Sequence, residues 1–130
     1  FCLSNFGMNS GPTFIVTRGL EGCLSVYTME AWMRFAGSLK QLKASKENVR
    51  AFQRFVFGSA AEVEFDKQGR ILIPATLRAY AKLVKDVTVL GTGDKVEIWS
   101  KDAYEAYVAK TVPAMEEIAE SLDDFLNLDF

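Results

Sequence analysis

The sequence predicts an α+β fold in which two similar β-rich halves are joined by helices and followed by a C-terminal helix. Three observations lead to this prediction. Residues 14–32 reappear, in altered form, as residues 87–104. Short runs rich in β-branched residues flank glycine-containing turns, a pattern typical of β-hairpins. Between and after these runs, apolar residues recur at the three- and four-residue spacing of amphipathic helices.

The internal repeat is the strongest of these observations. Val16 aligns with Val89, an offset of 73 residues, and after one gap at Gly22 Val26 aligns with Ile98, an offset of 72. Each copy is predicted to form a strand, a turn, a second strand and a helix. A hydroxyl residue precedes each predicted helix, Thr28 in the first copy and Ser100 in the second. We predict both as N-caps, because a hydroxyl oxygen can accept from the free amides of a first helical turn.

Two helices are predicted between the copies. The first follows Thr28, and its apolar positions recur at helical spacing, at Trp32, Phe35, Leu39 and Leu42. The second runs from a predicted N-cap at Ser45 to Phe57 and places three basic residues four apart on one face, Lys46, Arg50 and Arg54. That basic face is either a nucleic-acid surface or the solvated side of a connecting helix. We favour the second interpretation, since any packed surface helix needs this periodicity.

The segment from Ala61 to Leu83 predicts two strands around a tight turn, and then a helix. Val63 and Phe65 alternate with acids, Gly69 permits the turn, and residues 70–73 form the second strand. Pro74 is predicted at the first position of a helix over 75–82. Residues 66–70 therefore lie at the bend, where Lys67 and Arg70 could reach phosphates or base edges. Alternatively, Asp66 and Arg70 form only a salt bridge that pins the turn.

The C-terminal region is predicted to be helical from Ala114, where Pro113 restarts the helix. Its apolar residues are spaced by three, four and three, at Met115, Ile118, Leu122 and Phe125. This stripe is expected to pack either on another protomer or on its own domain. The last twenty residues contain six acids and no base, so residues 1–110 have a net charge of 15 − 11 = +4, although the whole chain has −2. A basic body with an acidic tail is compatible with an anionic partner.

Composition excludes several classes of protein. The 130 residues are 49% apolar and 25% charged, as expected of one globular domain and not of a disordered chain. There is no histidine, which excludes His-based catalysis and His-containing metal sites, and Cys2 and Cys23 are not in a C-x-x-C pair. We therefore expect no enzyme activity, cofactor, bound metal or small-molecule substrate. We also expect no signal peptide and no membrane span, hence a cytoplasmic protein.

The residues from Asp66 to Arg78 resemble a known family. Asp66-x-x-Gly69-Arg70, followed by Ile71-Leu-Ile-Pro74 and Arg78, resembles the AbrB-type swapped-hairpin DNA-binding element. Residues 14–24 and 96–100 resemble its tandem-repeat relatives, the MraZ family, and the match extends from Phe14 to Glu120. The resemblance implies two AbrB-like β-barrel halves. It also implies a nucleoid-associated transcriptional regulator, either a repressor or an activator, of the bacterial division and cell-wall gene cluster, which binds its own promoter DNA as a ring-shaped homo-oligomer.

The resemblance also implies roles for five residues. Arg70 contacts DNA, Asp66 and Gly69 hold the turn, and Lys67 is an auxiliary phosphate contact. Arg78 is a further candidate, although it could pair only with an acid on its helix. By the same comparison the chain divides into a partial first repeat (1–32), connecting helices (33–59), a second repeat (60–103) and a C-terminal helical region with an acidic tail (104–130).

The sequence departs from the family pattern at its start. An offset of 73 from Arg70 falls four positions before Phe1, and residues 1–13 lack the proline-helix pattern of residues 74–86. Either the sequence is a fragment with an altered start, or this member has lost one binding loop. In both cases we expect one such DNA-binding motif in this sequence and fewer phosphate contacts per chain. The second hypothesis is thus a ring-forming protein–protein interaction scaffold with weak or no DNA binding. An antitoxin, in which an acidic tail embraces a toxin, ranks third.

Overall fold

The computed structural model describes residues 13–126, which form two compact units, 13–100 and 101–126. The first unit contains five strands: β1 (Thr13–Arg18), β2 (Leu24–Thr28), β3 (Ala61–Glu64), β4 (Val87–Gly91) and β5 (Val96–Ser100). It also contains three helices: α1 (Met29–Lys40), α2 (Glu47–Phe57) and α3 (Ala75–Ala81). The second unit contains α4 (Lys101–Thr111) and α5 (Met115–Leu126). The predicted α+β class is confirmed, while the four-segment division of the chain stays a prediction.

The five strands form one antiparallel sheet in the order β3-β1-β2-β5-β4. Its register reproduces the sequence repeat, because Val16 opposes Val26 in the first hairpin and Val89 opposes Ile98 in the second. The two hairpins meet where β2 pairs with β5. In the repeat Leu24 is equivalent to Val96 and Val26 to Ile98. The pairing is crosswise, since Leu24 opposes Ile98 and Val26 opposes Val96. The two copies are therefore related by an approximate two-fold axis between β2 and β5.

The gap in the repeat has a structural cause. The first hairpin has a five-residue connection, residues 19–23, whereas the second has four, residues 92–95. The longer connection contains a short 3-10 turn, Leu20–Gly22, in which Glu21 and Gly22 have φ of 64° and 79°. Gly22 tolerates this left-handed conformation because it has no Cβ. One extra residue in this turn changes the offset from 73 to 72.

The core of the first unit lies between the sheet and α3. Phe14, Val16, Leu24, Val26 and Ile98 from the sheet are fully buried. Ile71, Ile73, Leu77 and Ala81, from the segment before α3 and from the helix itself, complete this apolar cluster. Burying large aliphatic side chains in this way is the main favourable term in folding.

Helices α1 and α2 contact each other and the sheet through aromatic side chains. Tyr27 of β2 stacks on Phe35 at 5.2 Å between ring centroids, and Trp32 meets Phe57 edge-on at 5.7 Å. The predicted N-cap at Thr28 is confirmed, since its hydroxyl oxygen accepts a hydrogen bond from the Ala31 amide at 3.1 Å. The predicted N-cap at Ser45 is wrong. Lys46 occupies that position without a side-chain capping bond, and the Ser45 carbonyl accepts from the Arg50 guanidinium.

In the second unit, Pro113 lies in a 3-10 turn, Val112–Ala114, between α4 and α5. Helix α5 begins at Met115, one residue after the predicted start. Three members of the predicted apolar stripe, Met115, Ile118 and Leu122, are exposed on α5, and the side chain of the fourth, Phe125, lies outside the described part of the chain.

Candidate nucleic-acid interface

The turn formed by residues 66–70 is connected at both ends to the core of the first unit. On one side β3 is hydrogen-bonded to β1, and Phe65 packs edge-on against Phe14 at 5.0 Å between centroids. On the other side Ile71 and Ile73 are buried, and α3 follows. The tip of the turn is thus presented by well-packed elements, a favourable arrangement for a recognition loop.

Asp66 organises this turn through its backbone and both carboxylate oxygens. The Asp66 amide donates to the Arg70 carbonyl at 2.7 Å, and the Gly69 amide donates to the Asp66 carbonyl at 3.1 Å. Oδ1 accepts from the amides of Gln68 and Arg70, at 2.8 and 2.9 Å, and Oδ2 accepts from Arg70 Nε at 3.2 Å. Gly69 has a φ of 76°, a left-handed conformation that favours glycine. The motif spacing Asp-x-x-Gly-Arg therefore corresponds to one closed, self-bonded turn.

These bonds lower the pKa of the Asp66 carboxyl below its ordinary value of 3.8. The largest cause is the hydrogen bond from the Arg70 amide, followed among the lowering causes by the Gln68 amide and the Arg70 side chain. Because each of these groups favours the ionised carboxylate, the folded pKa is lower than the unfolded one.

The turn should therefore loosen at low pH. The contribution of the Asp66 carboxylate to stability is complete above pH 3.8 and is lost as the pH falls through the lower folded pKa. In an NMR titration, the amide shifts of Gln68 and Arg70 should change together below pH 3.8. In Asp66→Asn this joint transition should be absent, and its persistence there would contradict the assignment.

The prediction of a second strand over residues 70–73 is wrong. Arg70 makes an isolated bridge, and residues 71–73 belong to no strand within the described part of the chain. They nevertheless alternate, since Ile71 and Ile73 are buried and Leu72 is exposed. This alternation is the pattern of extended backbone, but extended backbone forms a strand only where a partner pairs with it. Pro74, predicted as the first helical residue, is the N-cap of α3.

The structure brings four of the five predicted site residues together. Asp66, Lys67, Gly69 and Arg70 share the turn, and the side chains of Lys67 and Arg70 are exposed. Arg78 lies on α3, exposed, and makes no ion pair with the described residues of the first unit, 13–100. Its proposed contact with DNA is thus separate from the hydrogen-bonded turn.

A cluster around Arg18 was missed by sequence reasoning. The Arg18 guanidinium lies over the Phe55 ring at 4.7 Å and the Tyr80 ring at 5.9 Å, and its Nε donates to the Phe55 carbonyl at 3.1 Å. The Tyr80 hydroxyl donates to the Gly19 carbonyl at 2.7 Å. These contacts join the end of β1 to α2 and α3. No local pattern reveals them, because the residues are distant in sequence.

Other chemistry is limited in the described region. Burial raises the pKa of the Cys23 thiol to about 12, so it is protonated at neutral pH and is a poor nucleophile. Among residues 13–122, whose side chains the structure describes, no cluster of three or more His, Cys, Asp or Glu side chains is suited to a metal ion. None of the helices in this range has the length and apolar character needed to cross a membrane.

Comparison with known proteins identifies the family. The family model described as "MraZ protein, putative antitoxin-like" matches residues 56–126. The Transcriptional regulator MraZ of Heliobacterium modesticaldum is 51% identical over 115 residues, which cover 88% of this chain and 80% of the relative. The protein of the same name from Thermoanaerobacter sp. strain X514 is 49% identical over 121 residues, which cover 93% of this chain and 85% of the relative. That of Pelotomaculum thermopropionicum is 44% identical over 128 residues, which cover 98% of this chain and 88% of the relative. The chain therefore belongs to the MraZ family, in agreement with the resemblance found in its sequence.

Proposed function

We propose that the protein is a sequence-specific DNA-binding transcriptional regulator and that the turn of residues 66–70 contacts the DNA. The relatives, all named as transcriptional regulators, support the first part. The observation that supports the second part is the exposed guanidinium of Arg70, held beside Asp66 at the tip of a closed turn. Arginine is the residue that most often makes specific contacts with base edges.

The hydrogen bonds of Arg70 suit it to read a base. Asp66 accepts from Nε at 3.2 Å, which orients the guanidinium plane, while the two terminal Nη groups make no hydrogen bond within the described residues. Those two groups can donate side by side to O6 and N7 of guanine in the major groove. The Asp66 carboxylate is bonded to Gln68 and Arg70, so part of its charge is neutralised before DNA approaches. Lys67 then adds a phosphate contact.

The proposal extends to the biological setting that the sequence resemblance implies. The protein binds the promoter of its own gene, in the division and cell-wall cluster, as a ring-shaped homo-oligomer in the cytoplasm, associated with the nucleoid. The exposed stripe of Met115, Ile118 and Leu122 on α5 supports self-association, because a second copy could bury it. Several turns on one ring would bind more tightly than one turn alone. A monomer mass in light scattering at micromolar concentration would exclude the ring.

Sequence-specific binding is the first test. Fluorescence anisotropy would compare a labelled duplex from the region upstream of the protein's own gene with a scrambled duplex of equal composition. The upstream duplex should bind more tightly, and both affinities should fall steeply with salt, because each neutralised phosphate releases counterions.

Equal, weak binding to both duplexes would contradict the proposal. The scaffold hypothesis, a ring that binds proteins and only weakly DNA, would then be the better interpretation.

A further inference from the structure

Leu72 is an exposed apolar side chain beside the DNA-contacting turn. It is 79% exposed, whereas its neighbours Ile71 and Ile73 are 5% and 1% exposed. Those two buried side chains hold the backbone on either side of Leu72, so its side chain projects from a fixed position. A single exposed leucine is ordinary on a protein surface, but this one lies two residues from Arg70.

Leu72 and Arg70 project from the same side of the chain. In extended backbone successive side chains point to opposite faces, and residues two apart share one face. The buried Ile71 between them agrees with this alternation. The rise is about 3.3 Å per residue, and DNA advances about 3.4 Å per nucleotide along one strand. A side chain two residues beyond Arg70 can therefore lie about two base pairs from the base that Arg70 reads.

The chemistry of the major groove defines what Leu72 could contact there. Most groups on the base edges are hydrogen-bond donors or acceptors, which leucine cannot satisfy, whereas thymine presents an apolar C5-methyl group. We propose that Leu72 is a specificity-determining residue whose side chain contacts a thymine methyl group about two base pairs from the base read by Arg70. This inference rests on the proposed function of the 66–70 turn.

Removal of the methyl group from the DNA tests this contact directly. Uracil differs from thymine only by that methyl group, so the upstream duplex would be prepared with thymine and with uracil throughout. Anisotropy would give the ratio of the two affinities for the wild type, Leu72→Ala and Val84→Ala. Val84 is the matched control, since it is 94% exposed and lies beyond α3. Thermal melting of the variants would verify that each is folded.

Loss of each contacted methyl group should weaken wild-type binding about four-fold, the value for one buried methylene. Val84→Ala should keep the wild-type ratio, whereas in Leu72→Ala the ratio should approach one. If the thymine-to-uracil affinity ratio of Leu72→Ala equals that of the wild type, the inference is overturned. A lower particle mass of this variant in light scattering, together with an unchanged ratio, would identify Leu72 as a self-association contact instead. If the wild type prefers the upstream duplex over the scrambled one, the proposed function stands regardless of that result. If it does not, both proposals fail.

Discussion

Truncation of Leu77 to alanine should lower the free energy of unfolding by about 2–5 kcal/mol, the range measured for buried leucines. Leu77 lies in the middle of α3, is 1% exposed, and belongs to the apolar cluster that joins α3 to the sheet. The substitution removes buried methyl and methylene groups, whose transfer from water into the core stabilises the fold. It also leaves a cavity that the surrounding residues can fill only in part. Urea denaturation followed by circular dichroism would measure the loss as a lower midpoint at an unchanged slope.

The matched control for this variant is Val84→Ala. Val84 is almost completely exposed, so its truncation should change the free energy of unfolding by less than about 0.5 kcal/mol. Equal effects of the two substitutions would contradict the placement of α3 in the core. The comparison of Leu77→Ala with Val84→Ala also tests the support of the 66–70 turn, because one end of that turn is anchored to the core by Ile71, Ile73 and α3.

The parts of the fold that follow from local periodicity were predictable. The alignment of Val16 with Val89 and of Val26 with Ile98 corresponds to the observed register of both hairpins. The repeat predicts the register and not the burial, since Val16 is fully buried whereas Val89, on the edge strand β4, is 41% exposed. The N-cap at Thr28 was equally accessible, since its hydrogen bond spans only three residues.

The parts that depend on distant contacts were not predictable. The sequence pattern alone cannot tell whether residues 71–73 have a pairing partner, and in the structure they have none among the described strands. Ser45 was a plausible N-cap by residue type, but the chain between α1 and α2 is arranged around Arg50, which donates to the carbonyls of Ala44 and Ser45. Tyr80 and Gly19 meet only because α3 packs beside the end of β1.

For the candidate site, the spacing of Asp66, Gly69 and Arg70 predicted the turn, and the salt bridge seen in the structure is compatible with a DNA contact. From the sequence alone, a salt bridge between Asp66 and Arg70 and a DNA contact through Arg70 are alternatives. The bridge uses Nε of Arg70 and is exposed, so it adds little to stability by itself. Since it engages only that nitrogen, it is compatible with a base contact through the two Nη groups.

Replacement of Arg70 by alanine should weaken binding to the upstream duplex by about 5- to 150-fold, the equivalent of 1–3 kcal/mol for a bidentate base contact. Binding to the scrambled duplex should weaken much less, because only a charge is lost there. Arg70→Lys separates the two effects. Lysine keeps the charge but lacks the planar fork, so this variant should retain the salt dependence and lose most of the preference for the upstream duplex.

Arg34→Ala is the matched control for these variants. Arg34 is also exposed and also pairs with a carboxylate four residues away, Glu30, at 3.0 Å, but it lies on α1 and not on the turn. Its loss should leave the preference for the upstream duplex unchanged. If Arg34→Ala and Arg70→Ala weaken binding equally on both duplexes, Arg70 acts only through its charge and the turn does not read sequence. If only Arg70→Ala abolishes the preference, recognition depends on the guanidinium that Asp66 orients.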